Sequence, residues 1–318
     1  MKKALKRIAK RIFILILVVF AVYLLISNID LIRDLASNEK IKVIIDSDAA
    51  NGVDDLFTIM RIMEAEEIDV KGLLSAQWRL VDLDNDSTVG LNDDLHVKIL
   101  RQYHKERIPH PSGNALPMRY SSTGKSIQND ASKAIIRAVH ELPYQQKLNI
   151  LCLGSATNLA SAIQEKPEII DKVVCYIQGP YYEPARRTWD KSDPVTRLDL
   201  EAMNMLLNEE SLEIHLLPAN IADEMFLLNN TILESWNVPD SLQKLIIETM
   251  EDMIPGKDSI PSPSLALVQA FLNPDMSTQK QLIAPPENTQ RKIYVYTRID
   301  AGRMKKNFWK TNQEEIKK

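Results

Sequence analysis

Four aspartates fall within ten residues: Asp46, Asp48, Asp54 and Asp55, in the stretch IIDSDAANGVDD. Like charges this close repel unless positive charge sits among them. A helix N-terminus supplies about half a unit of charge, and a divalent cation supplies more. An oxygen-only donor set favours Ca²⁺, with Mg²⁺ as the other candidate, over zinc. The plainer alternative puts Asp54 and Asp55 in the first turn of a helix and makes Asp48 a loop cap. That accounts for one or two of the acids, not four. The loop is therefore read as a metal- or substrate-binding element.

The elements that must hold this loop alternate along the chain. KVIIDSD reads as a buried strand entering the loop, and 53–65 as a helix with Leu56, Ile59, Met60 and Met63 at helical spacing. Strands follow at 68–76, 147–154, 172–179, 212–218 and 291–299, and helices at 91–104, 131–141, 157–167, 198–208, 239–251 and 264–272. Alternation of this kind implies an α/β fold, a mostly parallel central sheet with helices on both faces. Ligands in such sheets sit at the carboxyl ends of the strands. The segments 77–90 and 180–197 are polar and leave strand ends, so both are read as loops bordering the site.

Residues 1–11 hold six Lys or Arg and no acid; removing them from the net −4 leaves the remainder at −10. An acidic body argues against nucleic acid as a partner. Ile12–Ile26 is an unbroken apolar run, and counting on to Ile29 gives eighteen residues. As a helix they would cover about 27 Å. With the basic cluster before it, the segment is expected to be a single-pass anchor, N-terminus cytoplasmic and body extracytoplasmic. A cleaved signal peptide is the alternative, although no A-x-A stands after Ile26. The expected organisation is a basic tail 1–11, an anchor 12–29, a tether 30–40 and one domain 41–318. Cys152 and Cys175 lie in strand-like runs and read as small buried hydrophobes, not a disulfide.

Three chemistries use an acidic loop after a strand. Haloacid-dehalogenase-type phosphatases carry D-x-D-x-T/V, but Ala50 takes the T/V place; glycosyltransferase D-x-D motifs fit Asp46-Ser47-Asp48 on three letters alone. The third is the nucleoside hydrolase family. The loop resembles that family's D-T-D-A-N-N-E-I-D-D variant, with six of ten letters identical. ILCLGSATNLASAIQEKPEI resembles its A-L-G-P-L-T-N-x-A-x-A-L…P-E-I segment, IPHPSGNALPM its V-P-V-Y-x-G-A-x-x-P-L, and DLEAMNMLL its helix beginning D-P-E-A-A. RKIYVYTRIDAGRM resembles its C-terminal strand and turn, so the likeness covers nearly all of 42–305 in order.

The resemblance implies a Rossmann-like nucleoside hydrolase fold and metal-dependent hydrolysis of the N-glycosidic bond of a nucleoside or related riboside. It implies Ca²⁺ held by Asp48, Asp55 and the Thr157 carbonyl. Asp48 would also be the base that activates water. Asp54 would bind the ribose hydroxyls, Asn51 matches an Asn of the variant loop, and Asp46 would support the loop from behind. The family's dimers and tetramers make self-association an expectation.

Two motifs depart from the pattern. Where the family's C-terminal H-D-x-L-A supplies a calcium ligand, this chain reads Ser262-Pro263-Ser264-Leu265-Ala266; Asp258 is the nearest upstream acid. The ribose-binding E-F-N is replaced: counting back from Asp199 puts Asp193 and Val195 at its acid and amide, with Trp189 and Asp190 as further substrate-binding candidates. A working hydrolase is one reading; a non-catalytic nucleoside- or sugar-binding or interaction module is the other. Outside the loop, His110, in a Pro-flanked segment, is a candidate for meeting a leaving base. Trp78 and Trp189 are candidates for stacking on a base, each against a purely packing role. Arg186-Arg187 is a phosphate candidate against a solvated pair.

Overall fold

The computed structural model describes residues 11, 13–15, 17–18, 39–78, 88–118, 129–143, 145–228 and 240–314. The chain divides into Met1–Lys40 and a body, Ile41–Lys318. In the first unit residues 11, 13–15 and 17–18 are helical, while 39–40 belong to no helix or strand. Most of the expected anchor 12–29 lies outside the described residues. Among those described, no helix is long and apolar enough to cross a membrane.

The body opens with β1 (Ile41–Ser47), α1 (Val53–Met63), β2 (Ile68–Ser75), α2 (Thr88–Gln102) and α3 (Asp130–His140). Next come β3 (Leu148–Cys152), α4 (Thr157–Glu165), β4 (Val173–Gly179), the hairpin β5 (Tyr181–Glu183) and β6 (Thr188–Asp190), and the short α5 (Pro194–Leu198). They are followed by α6 (Leu200–Asn208), β7 (Glu213–Pro218), α7 (Ala219–Ala222), β8 (Phe226–Leu228), α8 (Asp240–Met253) and β9 (Ser259–Pro261). The chain closes with α9 (Pro263–Leu272), β10 (Ser277–Ile283), β11 (Lys292–Ile299) and α10 (Ala301–Glu314).

Seven strands form one sheet in the order β10-β11-β7-β4-β3-β1-β2. All neighbours are parallel except β10, which runs antiparallel to β11. Strand alternation divides the core. Val43 and Ile45 pack with Leu56, Phe57 and Met60 of α1 and with Leu265 and Val268 of α9. Ile44, between them, points to the opposite layer, with Ile135 of α3, Leu159 of α4 and Leu206 of α6. Strands apolar on both faces are what a sheet covered by helices on both sides requires.

This is the expected α/β architecture, with the short helices α5 and α7 and the β8–β9 pair added, and with further additions elsewhere. Residues 181–190, read as loop, form a hairpin; 277–283 form an antiparallel edge strand; and the chain after β11 continues as a helix. The apolar strands are otherwise where periodicity placed them, within a few residues at each end. Cys152 and Cys175 are free thiols buried in the second layer, as expected.

Candidate active site

The loop after β1 brings three carboxylates to one cavity of ≈ 420 Å³, at the carboxyl ends of the strands. Asp48, Asn51, Asp54 and Asp55 line it, with Trp78, Gln178, Val195, Arg197, Pro263 and Ser264. Each acid is placed by a short polar contact. Asp48 Oδ2 accepts from Asn51 Nδ2 at 2.9 Å, and Asp55 Oδ2 accepts from Ser47 Oγ at 2.6 Å. Asp54 Oδ2 accepts from the backbone N–H of Ser264 at 3.0 Å, in the first turn of α9. Gln178 Nε2 donates to Ser264 Oγ at 2.9 Å, which fixes that hydroxyl beside the acids.

Burial dominates the electrostatics. It pushes the Asp48 carboxyl up to about 7, opposed by the Asn51 hydrogen bond and reinforced by Asp54. Burial and then repulsion from Asp48 and Asp54 hold Asp55 well above the usual carboxylate range. Asp54 is raised by burial and eased by Ser264. Taking anions out of water favours their protonated forms unless a cation enters among them.

Behind the cavity, Asp46 is fully buried and does not line it. Its Oδ1 accepts from Asn158 Nδ2 at 2.9 Å, while Oδ2 is buried without a partner. Burial, eased by Asn158, pushes Asp46 up to about 7. Asn158 also donates to the Ser75 carbonyl at 3.2 Å and accepts from the Asn114 N–H at 3.0 Å. One amide therefore ties β1, β2 and the 112–118 segment to the start of α4. Two glycines make room for this packing. A Cβ at Gly113 would lie 2.2 Å from Ser75 O, and one at Gly154 would lie 2.8 Å from the Asp48 carboxyl.

The remaining sequence candidates are placed as follows. Asp193 is buried and caps α5, accepting from Thr196 N at 2.9 Å, while its Oδ2 has no partner. Trp189 and Asp190 stand on the hairpin and do not line the carboxylate cavity; Trp189 packs on Tyr182 and Asp190 accepts from Ser192 N. Thr157 does not line it either, and its hydroxyl donates to Asp199 Oδ2 at 2.7 Å. His110 is held to the Ile108 carbonyl at 2.9 Å and lies off the cavity. Asp258 is exposed and gives the cavity no acid, so Pro263 and Ser264 form its wall. Arg197 and Gln178 were not singled out by sequence reasoning. Their signal was positional only: Gln178 lies at the end of β4, and Arg197 two residues before Asp199.

The donor set suits a hard cation in kind. Asp48 and Asp55 offer carboxylate oxygens to the same cavity, and burial followed by repulsion among the acids raises their proton affinity, which a cation would offset. Among the described residues, no three acidic, His or Cys side chains are arranged to hold one metal ion, so Asp48, Asp54 and Asp55 share a cavity without forming a metal cage. A cation here would be held by Asp48 and Asp55, with Pro263 giving no third carboxylate.

The sequence matches the family described as "Inosine-uridine preferring nucleoside hydrolase" over residues 43–315. The chain belongs to the nucleoside hydrolase family. A probable uridine nucleosidase 1 of Oryza sativa subsp. japonica is 26% identical over 163 residues, 44% of this chain and 47% of the relative, so the chain spans about half the length of that relative. Among solved structures, a plant nucleoside hydrolase, the PpNRh1 enzyme, superposes with TM-score 0.66 at 18% identity, covering 85% of this chain and 98% of that one. An inosine-uridine preferring nucleoside hydrolase from Bacillus anthracis gives 0.59 at 16%, covering 86% and 99%. Both likenesses are to the nucleoside hydrolase fold.

Proposed function

We propose that this member of the family hydrolyses the N-glycosidic bond of a nucleoside or related riboside, releasing base and sugar. The observation that carries the reading is the convergence of Asp48, Asp54 and Asp55 on one cavity at the strand ends.

In this reading Asp48 takes the proton of the attacking water. The water oxygen bonds to the anomeric carbon, and the C–N bond breaks with its electron pair leaving on the base. The ring passes through an oxocarbenium-like state, which the carboxylates stabilise. Asn51 orients Asp48 through their 2.9 Å hydrogen bond. Asp54, fixed by the Ser264 N–H, accepts from the sugar hydroxyls. Asp46 keeps the loop on Asn158. Trp78, which lines the cavity, would stack on the base. Asp48 and Asp55 would hold a hard cation, Ca²⁺ or Mg²⁺, which when bound would supply positive charge against the acids and acidify nearby water. Protonation of the departing base falls to solvent, because no His lines the cavity among the described residues.

The test is chromatographic detection of free base from a panel of purine and pyrimidine nucleosides. Release by the wild type, with a raised KM in Asp54→Asn, is the expected result. A folded protein that binds nucleosides without releasing base would support the binding-module reading.

We also infer a membrane anchor at 12–29 with the body extracytoplasmic, from the apolar run behind six basic residues. Resistance to alkaline extraction supports it; recovery of the intact chain in the alkaline supernatant would contradict it.

A further inference from the structure

Trp189 and Arg187, which the carboxylate cavity leaves unused, line a second cavity of ≈ 1060 Å³ between the β5–β6 hairpin and β10–β11. Four cations line it, Arg187, Lys280, Lys292 and Arg298, and no carboxylate does. All four are exposed, and among the described residues none has a side-chain hydrogen bond or ion pair. The acids near these cations in sequence have other contacts: Asp190 accepts from Ser192 N at 2.8 Å, Asp300 accepts from Arg303 N at 3.0 Å, and Asp275 pairs with Arg303 at 2.5 Å. Glu183 accepts from Ala185 N at 3.1 Å, and Glu287 pairs with Lys191 at 2.7 Å.

A body that carries −10 outside its first eleven residues thus gathers unpaired positive charge in one hollow. Grouped cations repel one another, and an anion removes that repulsion. The cavity also has a flat aromatic element. The Trp189 and Tyr182 rings are 4.5 Å apart and tilted by 43°, with Tyr182 buried beneath. Arg187 is presented by a turn that holds it at φ 55°, a left-handed conformation disfavoured for a residue with a side chain.

We propose that this cavity binds a nucleotide. The heterocycle lies against Trp189, and the phosphate oxygens are taken by Arg187, Lys280, Lys292 and Arg298. The site is separate from the carboxylate cavity and does not depend on the hydrolase reading. A single-charge anion would leave most of the cations unpaired, and a peptide would leave the ring without a planar partner.

The test titrates the purified full-length chain with ADP, reading heat and tryptophan fluorescence. Saturable binding below about 1 mM is expected, with adenosine and inorganic phosphate each about tenfold weaker or more. Lys280→Glu and Arg187→Glu each weaken ADP by about tenfold, and 1 M salt weakens it further. Trp189→Phe removes most of the fluorescence change. Asp54→Asn, in the other cavity, leaves the ADP affinity as it was. The proposal is overturned if ADP does not saturate, or if the charge reversals leave its affinity unchanged. It is equally overturned if Asp54→Asn abolishes binding, which would put ADP among the carboxylates. Binding of hexaglutamate or phosphate as tight as that of ADP would make the hollow a general anion surface or an acidic-peptide dock, and would also overturn it.

Discussion

Asp48 meets two opposing demands. Burial favours its protonated form, while a role as base needs the anion. Removing that base should cost about 10²–10⁴-fold in turnover. Asp48→Asn should do so without unfolding the chain, because an amide at 48 can still accept from Asn51. Base release and circular dichroism on the same sample check both halves. A second residue-scale prediction concerns His96. It is fully buried, its Nε2 has no partner, and its Nδ1 lies 3.2 Å from Ser75 Oγ. Ser75 gives its own proton to Asp93 at 2.5 Å, so His96 donates through Nδ1–H, and burial of an Nε2 with no acceptor keeps the ring neutral. Burial, aided by His110, pushes it down to about 3. Between that value and the ordinary one near 6.5 the unfolded chain binds the extra proton. Stability from this group is complete above about pH 6.5 and is lost as pH falls, by up to about 1.4 kcal/mol per pH unit. Asp46 and Asp48, raised to about 7, act with the opposite sign over the same window when no cation is present. The contrast with His96→Gln isolates the histidine: the variant should lose less stability between pH 6.5 and 4.5 in urea unfolding. Equal losses would contradict the assignment.

At the scale of elements, the site depends on how β1, β2 and α4 are tied together. Asn158→Ala removes bonds to Asp46, Ser75 and Asn114 at once, leaving buried groups unsatisfied. A loss of about 1–3 kcal/mol per group is expected, with a matching drop in activity. Gly113→Ala forces a 2.2 Å approach to Ser75 O and should cost about 1–3 kcal/mol or more by thermal or urea unfolding. What the sequence made legible follows the same physics. Buried parallel strands are apolar on both faces, so KVIIDSD, KLNILCLG and KVVCYIQG announce themselves, and the aspartate loop stands out at the end of the first. β10 does not: Ser-Thr-Gln-Lys-Gln-Leu-Ile is an edge strand with little to bury. The hairpin is hidden for a related reason, since its strands are three residues long and join through Pro184–Arg187. That turn carries Trp189 away from the carboxylates, which counting along the sequence could not reveal. Among residues 301–310 of α10, Met304 and Phe308 alone are buried, too sparse a stripe to read as a helix in advance. Thr157 followed from a motif, but whether its carbonyl meets the cavity depends on how α4 begins.

For the whole molecule, the proposed cation would relieve the repulsion among Asp48, Asp54 and Asp55 and so couple folding to its own binding. A cation bound only by the folded state adds about 2.7 kcal/mol at a hundred times its Kd, which appears as a rise in Tm of several degrees. Ca²⁺ should raise Tm, chelator should reverse it, and Asp55→Asn should remove most of the effect. The replacement of the family's further acid by Pro263 predicts a cation held less tightly than a full cage would hold it. The central claim is tested most directly by base release from nucleosides by the purified chain, with Ca²⁺, with chelator, and with Asp48→Asn in parallel. Metal-dependent release that the substitution abolishes is what this account predicts. Absence of release from every nucleoside, in folded protein with Ca²⁺ present, would contradict it.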